Sequence, residues 1–179
     1  MKREVVMEAP QNPAGVFASE ENYGPQRRGE FIAVIEAAPT ALRDAVAGLA
    51  EDQLDTLYRN WTIRQIVHHV ADSHVNSYVR FKWALTEELP TIKPYDEKRW
   101  AEMSDVQKLP INISLTLLHA LHTRWYEMLR NLPDEAWQRT VVHPEHNKTI
   151  TLWYLLGMYA WHGRHHVAHI TALRDRNGW

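Results

Sequence analysis

The chain has 179 residues, with 22 acidic and 20 basic side chains, a formal net charge of −2 and no cysteine. Without a basic field it is a poor candidate for binding nucleic acid or an anionic membrane surface, and it can form no disulfide, thiolate metal site or catalytic thiol. No segment resembles a signal peptide or approaches the roughly 18 apolar residues of a spanning helix, so we expect a cytoplasmic protein.

Residues 1–27 predict an irregular arm, and residues 28–179 predict one domain. Prolines and glycines recur in the arm without a sustained apolar period, which is typical of a segment laid over a surface. A helical pattern begins at about Arg28. Pro39 lies inside this pattern and predicts either a kink or a division into two consecutive helices, because proline lacks the N–H that a helix interior needs.

The second predicted helix has a defined start. Thr62 and Gln65 have the spacing of a capping box, in which each side chain bonds the other residue's backbone N–H. The apolar stripe of this helix should end near Glu88, because Pro90 cannot continue it. Residues 89–113 then predict a long, ordered connection with about one helical turn.

Two further helices complete the pattern. The third is expected over about residues 114–131, with a connector at 132–148 that contains a short turn or ribbon. The last helix should start at Thr149 or Thr151 and end near Asp175. The sequence therefore predicts an all-α fold in which four main helices pack antiparallel as a bundle.

Eleven histidines are the most unusual feature of the composition, and four of them lie in the segment WHGRHHVAHI. Residues four apart on a helix share a face, so His162/His166 and His165/His169 form two pairs that could each chelate an ion. The first pair falls within the apolar stripe of the helix and should point into the bundle. Of the second pair, His165 falls at the edge of that stripe and His169 lies between this edge and the inward pair.

Spacing alone leaves two interpretations of the inward pair. Buried neutral imidazoles need hydrogen bonds or a ligand, so they could be satisfied core residues or metal ligands. A metal ion would need a third ligand, for which HHVADSH on the second helix offers His68, His69 and His74, with Asp72 as a carboxylate alternative. The remaining histidines are interpreted as surface residues on a solvated helix face or a loop: His119, His122, His143 and His146.

Three segments of the chain match a known family: LDTLYR, WTIRQIVHHVADSHVNSYVRFKWALTEELPTIKPYDEKRW and ITLWYLLGMYAWHGRHHVAHI. On these residues the sequence resembles the DinB-like superfamily and, within it, the YfiT group of metal-dependent hydrolase candidates, which includes a bacillithiol S-transferase. The resemblance implies a four-helix bundle of up-down-down-up order, with its long crossover at residues 89–113. It also implies homodimers and one zinc or nickel ion per subunit.

The resemblance also selects the ligands. It places the second-helix ligand on His69, eight residues after Trp61, rather than on His68, and it places the remaining two ligands on His162 and His166. Asp72, His165 and His169 are candidates to hydrogen-bond the ligands from behind, because ligating histidines usually donate their second N–H to an acceptor.

Three imidazole ligands leave coordination positions open, as catalytic zinc sites do. Such a site can activate water, which predicts a hydrolase acting on a small molecule. It can equally bind a thiol, which makes a thiol S-transferase of bacillithiol type the alternative. A non-catalytic metal-binding interaction module is the alternative from another class. Lys93, Tyr95 and Asp96 of the crossover could line the mouth of the site.

Overall fold

The computed structural model describes residues 9–20, 24–145 and 147–179. Within them it contains seven α-helices: α1 Pro25–Val46, α2 Glu51–Leu54, α3 Ile63–Thr86, α4 Glu97–Ala101, α5 Ser104–Lys108, α6 Asn112–Arg130 and α7 Leu152–Asn177. It also contains a 3-10 helix and two short antiparallel hairpins: Asp134–Gln138, β1 Leu57–Tyr58 with β2 Trp61–Thr62, and β3 Thr140–His143 with β4 Lys148–Thr151. None of these helices is long and apolar enough to cross a membrane.

The order of the bundle follows from contacts between its four long helices. Helix α1 runs parallel to α7, since Phe31 packs on Gly157 and Ala38 on Gly163. Helix α3 runs antiparallel to α7, since His69 contacts His166 whereas His74, later on α3, contacts His162, earlier on α7. Helix α6 runs parallel to α3, since His74 contacts His122 and Phe81, later on α3, contacts Trp125, later on α6. The predicted up-down-down-up four-helix bundle is therefore confirmed.

The capping signals position the two helices that carry the histidines. The Thr62 side chain accepts a hydrogen bond from the Gln65 N–H, and the Gln65 side chain accepts one from the Thr62 N–H, so the predicted capping box is confirmed. Thr151 caps α7 in the same way by accepting from the N–H of Tyr154, which decides between the two predicted starts. At the other end Gly178 adopts a left-handed conformation with φ of 70°, which stops the helix.

Two predicted elements differ from the structure. Helix α1 runs unbroken through Pro39, so the predicted division into two helices is wrong. The helix tolerates proline because the Ile35 carbonyl, which Pro39 cannot bond, accepts a hydrogen bond from His122 on α6 instead. The crossover contains two short helices, α4 and α5, rather than one turn.

Helix α1 begins at Pro25, three residues before the predicted start at Arg28, and the described residues of the arm before it have no helix or strand. Residues 9–20 follow the outer side of α7, where Trp153 donates its indole N–H to the Glu20 carbonyl and Trp161 donates to the Gly15 carbonyl, at 2.8 and 2.9 Å. The rest of the predicted arm, residues 1–8 and 21–23, lies outside the described residues.

The apolar core is divided into two clusters, one at each end of the bundle. One cluster contains Trp125 and Trp137, and the other contains Ile63 and Leu118; all four long helices contribute to both. Polar side chains lie between the clusters at middle height on three of these helices. We call the following set the histidine layer: His69, His74, His122, His162 and His166.

Candidate metal centre

Three histidines of the histidine layer converge on one point. The Nε2 atom of His162 lies 3.3 Å from Nε2 of His69 and 3.2 Å from Nε2 of His166. His162 and His166 are one turn apart on α7, while His69 reaches them from the antiparallel helix α3. One ligand atom from each ring lies within 4.8 Å of the others, so the structure brings together the three residues that the family resemblance selects.

The surroundings keep these imidazoles neutral. Burial lowers the pKa of His69 to about 4, and it lowers the pKa of His162 and His166 well below the ordinary value. The indole of Trp61, just before the cap of α3, covers one side of the cluster, with its ring centroid 4.5 Å from that of His69. Neutral imidazole is the form that binds metal ions.

The spacing of the three nitrogens fits a single divalent ion. Ligands at the usual Zn–N distance of about 2.0–2.1 Å in a tetrahedral arrangement are ~3.3 Å apart. The two short separations in the cluster match this value. The donor set of three imidazoles suits zinc, nickel, copper or iron, and it leaves at least one coordination position for another group.

A line of hydrogen-bonded histidines runs from the cluster into the core. Nδ1 of His162 lies 3.2 Å from Nε2 of His74, and Nδ1 of His74 lies 2.7 Å from Nε2 of His122. Nδ1 of His122 then reaches the Ile35 carbonyl at 2.5 Å. His74 is fully buried and His122 nearly so, and burial lowers the pKa of both, to about 4 for His122.

The Ile35 carbonyl determines the direction of this line. A carbonyl can only accept, so Nδ1 of His122 carries the proton, and the neutral ring accepts at Nε2 from His74. His74 in turn accepts at Nε2 from the Nδ1–H of His162. The Nε2 lone pair of His162 is thereby directed at the point where the three histidines meet. Pro39 begins this sequence, since its missing N–H frees the Ile35 carbonyl.

Of the residues predicted to support the ligands, His165 and His169 contact the His166 ring, with ring centroids 5.2 and 5.4 Å from it. His169 is stacked on Tyr58 and bonds the Gln11 carbonyl, and His165 is stacked on Trp161. Burial raises the pKa of Asp72 to about 6. In the part of the chain that the structure describes, none of the three hydrogen-bonds to a ligand histidine. His74, considered from the sequence only as a third ligand, contacts His162 instead.

The structure agrees with some of the predictions for the other histidines and corrects one of them. His68 points away from the cluster and bonds Ser114 and the Leu109 carbonyl. The interpretation of His122 as a surface residue is wrong, because its side chain is only 2% exposed. Pro39 was the available signal: a proline within a helix leaves a carbonyl that requires another donor. Three remain: His119 is exposed, His143 is half-buried on β3, and His146 lies outside the described residues.

A cavity of about 480 Å³ opens beside the cluster, and His162 forms part of its wall. Its floor includes Ser73, one turn after His69 on α3, and Tyr159, one turn before His162 on α7. Tyr95 of the crossover also lines it, as expected, whereas Lys93 and Asp96 are not among its lining residues. The three-histidine cluster therefore has access to a cavity of the size that small-molecule sites occupy.

Comparison with known proteins gives a family model and relatives that all point to one family. The sequence profile of the DinB superfamily matches residues 35–170. A Bacillus subtilis relative, YfiT, named as a candidate metal-dependent hydrolase, is 47% identical over 169 residues, which is 93% of this chain and 95% of its own.

Two further relatives carry the same description. One from Bacillus cereus is 50% identical over 93% of this chain and 96% of its own, and one from Oceanobacillus iheyensis is 53% identical over 84% and 87%. The solved YfiT structure, described as a four-helix bundle of unusual topology, superposes with a TM-score of 0.92 at 47% identity, covering 94% of this chain and 98% of that one.

Proposed function

This chain belongs to the DinB superfamily, and we propose that it is a metal-dependent hydrolase in which His69, His162 and His166 hold one divalent ion. The observation that carries the proposal is the convergence of three neutral Nε2 atoms beside a cavity. The names of the relatives, which describe metal-dependent hydrolases, support the same activity.

The chemistry follows from the donor set. A divalent ion held by His69, His162 and His166 would supply Lewis-acid chemistry, and zinc in such sites lowers the pKa of a bound water to about 7. The protein contributes by holding the three nitrogens in place. His74 orients the His162 ring through the Nδ1–H of His162, and Trp61 covers one side of the cluster.

Thiol S-transfer is the second candidate, because the same open position would bind and deprotonate a thiol. The cavity beside the cluster favours both reactions over a non-catalytic module, which would need no space next to its ion. Hydrolysis and transfer differ in the co-substrate, so activity assays separate them.

The test is a screen of the zinc- and nickel-loaded protein against esters, amides and thiol-conjugation substrates. We expect hydrolysis that a chelator stops and added metal restores. His166→Ala should remove it, and the exposed His119→Ala serves as the matched control. Turnover only with a thiol co-substrate would replace the hydrolase by the transferase. Full turnover by the His166 variant would contradict both.

We also propose that the protein is a homodimer. Several large apolar side chains are exposed between the crossover and the first half of α6: Trp100, Met103, Leu109, Ile113 and Leu117. Exposed apolar side chains concentrated in one segment favour an interface between proteins. Light scattering during gel filtration should give twice the mass of one chain, and Ile113→Asp should lower it. A monomer at micromolar concentration would contradict the proposal.

A further inference from the structure

Arg80 is a buried cation on the wall of the cavity that His162 also lines. Its side chain lies on α3, two turns after Ser73 on the same helix face, and the residue is only 7% exposed. A guanidinium remains charged in proteins, and burying an unpaired charge is costly. The position of Arg80 therefore requires an explanation in terms of a partner.

The protein itself supplies few polar partners for the Arg80 guanidinium. Arg80 makes one long hydrogen bond, from Nη1 to the Tyr159 hydroxyl at 3.4 Å, and no ion pair with any carboxylate in the described ranges. Arg64, by contrast, is paired within the protein: it donates hydrogen bonds to Asp55 at 2.8 Å and to Glu51 at 2.7 Å. Most of the five N–H donors of Arg80 are thus left to the cavity.

Glu97 and Glu145 are the carboxylates to consider as internal partners, because both line the same cavity. Neither forms an ion pair with Arg80 in the described ranges. The pKa of Glu97 is raised, since loss of hydration outweighs the attraction of Arg80, whereas a close guanidinium partner would lower it. Neither carboxylate therefore neutralises Arg80 at close range, and the positive charge stays available to a molecule inside the cavity.

Tyr159 connects this charge to the histidine cluster. Its hydroxyl accepts from Arg80, while its ring lies 5.7 Å from the His162 ring, centroid to centroid. The side chain of one tyrosine thus spans the distance between the guanidinium and the cluster. Further aromatic side chains line the same cavity: Tyr95, Tyr154 and Trp161.

We infer that Arg80 is the anion-binding subsite of the cavity, and that the substrate is a compact carboxylate with an apolar or aromatic body. The inference rests on the proposed function in that it places the reacting bond at the histidine cluster and the carboxylate at Arg80. A carboxylate pairs with a single guanidinium through two parallel hydrogen bonds, which matches one buried arginine. A phosphate monoester shares this chemistry and is the second arm of the test.

The experiment measures binding rather than turnover, so it stands apart from the hydrolase assay. Metal-free protein is titrated calorimetrically with phenylacetate, with phenylacetamide, which has the same shape without the charge, and with phenyl phosphate. We expect phenylacetate to bind at least about tenfold more tightly than the amide, as one charge-assisted bidentate pair provides. Arg80→Gln should abolish this preference. Arg80→Lys, which keeps the charge but loses the fork, should retain part of it.

Arg164→Gln is the matched control, because Arg164 is an exposed arginine of α7 outside this cavity. It should bind phenylacetate like the unmodified protein. Tighter binding of phenyl phosphate would keep the subsite and change the anion. Equal binding of acid and amide, no binding of either anion at millimolar concentration, or an unchanged preference in folded Arg80→Gln would overturn the inference. If the protein binds phenylacetate as expected but shows no hydrolysis in the separate activity screen, the subsite would stand and only the proposed activity would be lost.

Discussion

Two histidine pairs on α7 have the same spacing and different surroundings. His162 and His166 face α3 and meet His69, with their Nε2 atoms 3.2 Å apart. His165 and His169 face the arm and the β1–β2 hairpin, where they stack on Trp161 and Tyr58. We call these the inner pair and the outer pair. An i, i+4 spacing permits chelation, but only a third ligand on another helix completes a site.

The two pairs also differ in what holds the rings. Each ring of the outer pair lies on an aromatic face, and His169 bonds the Gln11 carbonyl through Nε2, the atom that the inner pair presents to the cluster. His162 is held through Nδ1 by His74, so its Nε2 stays without a proton. Substitutions that separate the pairs therefore test whether the surroundings, rather than the spacing, decide the site.

The largest effect is expected from the inner pair. His162→Ala, His166→Ala and His69→Ala should each abolish stoichiometric metal binding, because the two imidazoles that remain hold an ion weakly. Elemental analysis of the purified variants measures this. His68→Ala should keep more metal than His69→Ala, since His68 bonds Ser114 instead. A full equivalent of metal in the His166 variant would show that the outer pair can substitute for the inner one.

A smaller effect is expected from the line of histidines behind the inner pair. His74→Ala or His122→Ala should weaken metal binding by about 10–100-fold, the usual loss when a residue behind a ligand is removed. Competition with a fluorescent chelator measures the affinity. His119→Ala, one turn before His122 near the exposed face of α6, is the matched control. Unchanged affinity in both variants would mean that the line is structural only.

The buried histidines should also make stability depend on pH. The pKa of His69 and of His122 falls from 6.5 to about 4 on folding, so between these values the unfolded chain binds more protons than the folded one. Stability of the metal-free protein is then complete above about pH 6.5 and is lost as the pH falls towards 4, at about 1.4 kcal/mol per pKa unit for each group. Urea unfolding followed by circular dichroism measures it, and a flat profile would contradict the assignment of neutral rings.

The smallest effect is expected from the outer pair. His165→Ala and His169→Ala should leave a full equivalent of metal, with a loss of unfolding free energy of about 1 kcal/mol from the lost ring contacts. Elemental analysis and thermal unfolding check both values. Loss of the metal in either variant would place a ligand in the outer pair and remove the distinction between the two.

Local sequence patterns determined much of this molecule. The apolar stripes predicted four long helices, Thr62 and Gln65 predicted the start of α3, and helical phase predicted that His162 and His166 point inward. These features depend on residues within a turn or two of each other, through backbone hydrogen bonds and a period of 3.6 residues. The direction of the helices came from the family resemblance, because periodicity does not specify how helices are connected in space.

Only the tertiary structure decided which histidines meet. His68 and His69 differ little in helical phase, and the choice between them depends on the rotation of α3 against α7. His122 was predicted at the surface because nothing near it in sequence shows that α1 crosses it there. Its partner is the carbonyl that Pro39 leaves unbonded, 87 residues away. Such contacts depend on the relative height and rotation of packed helices, which local periodicity does not contain.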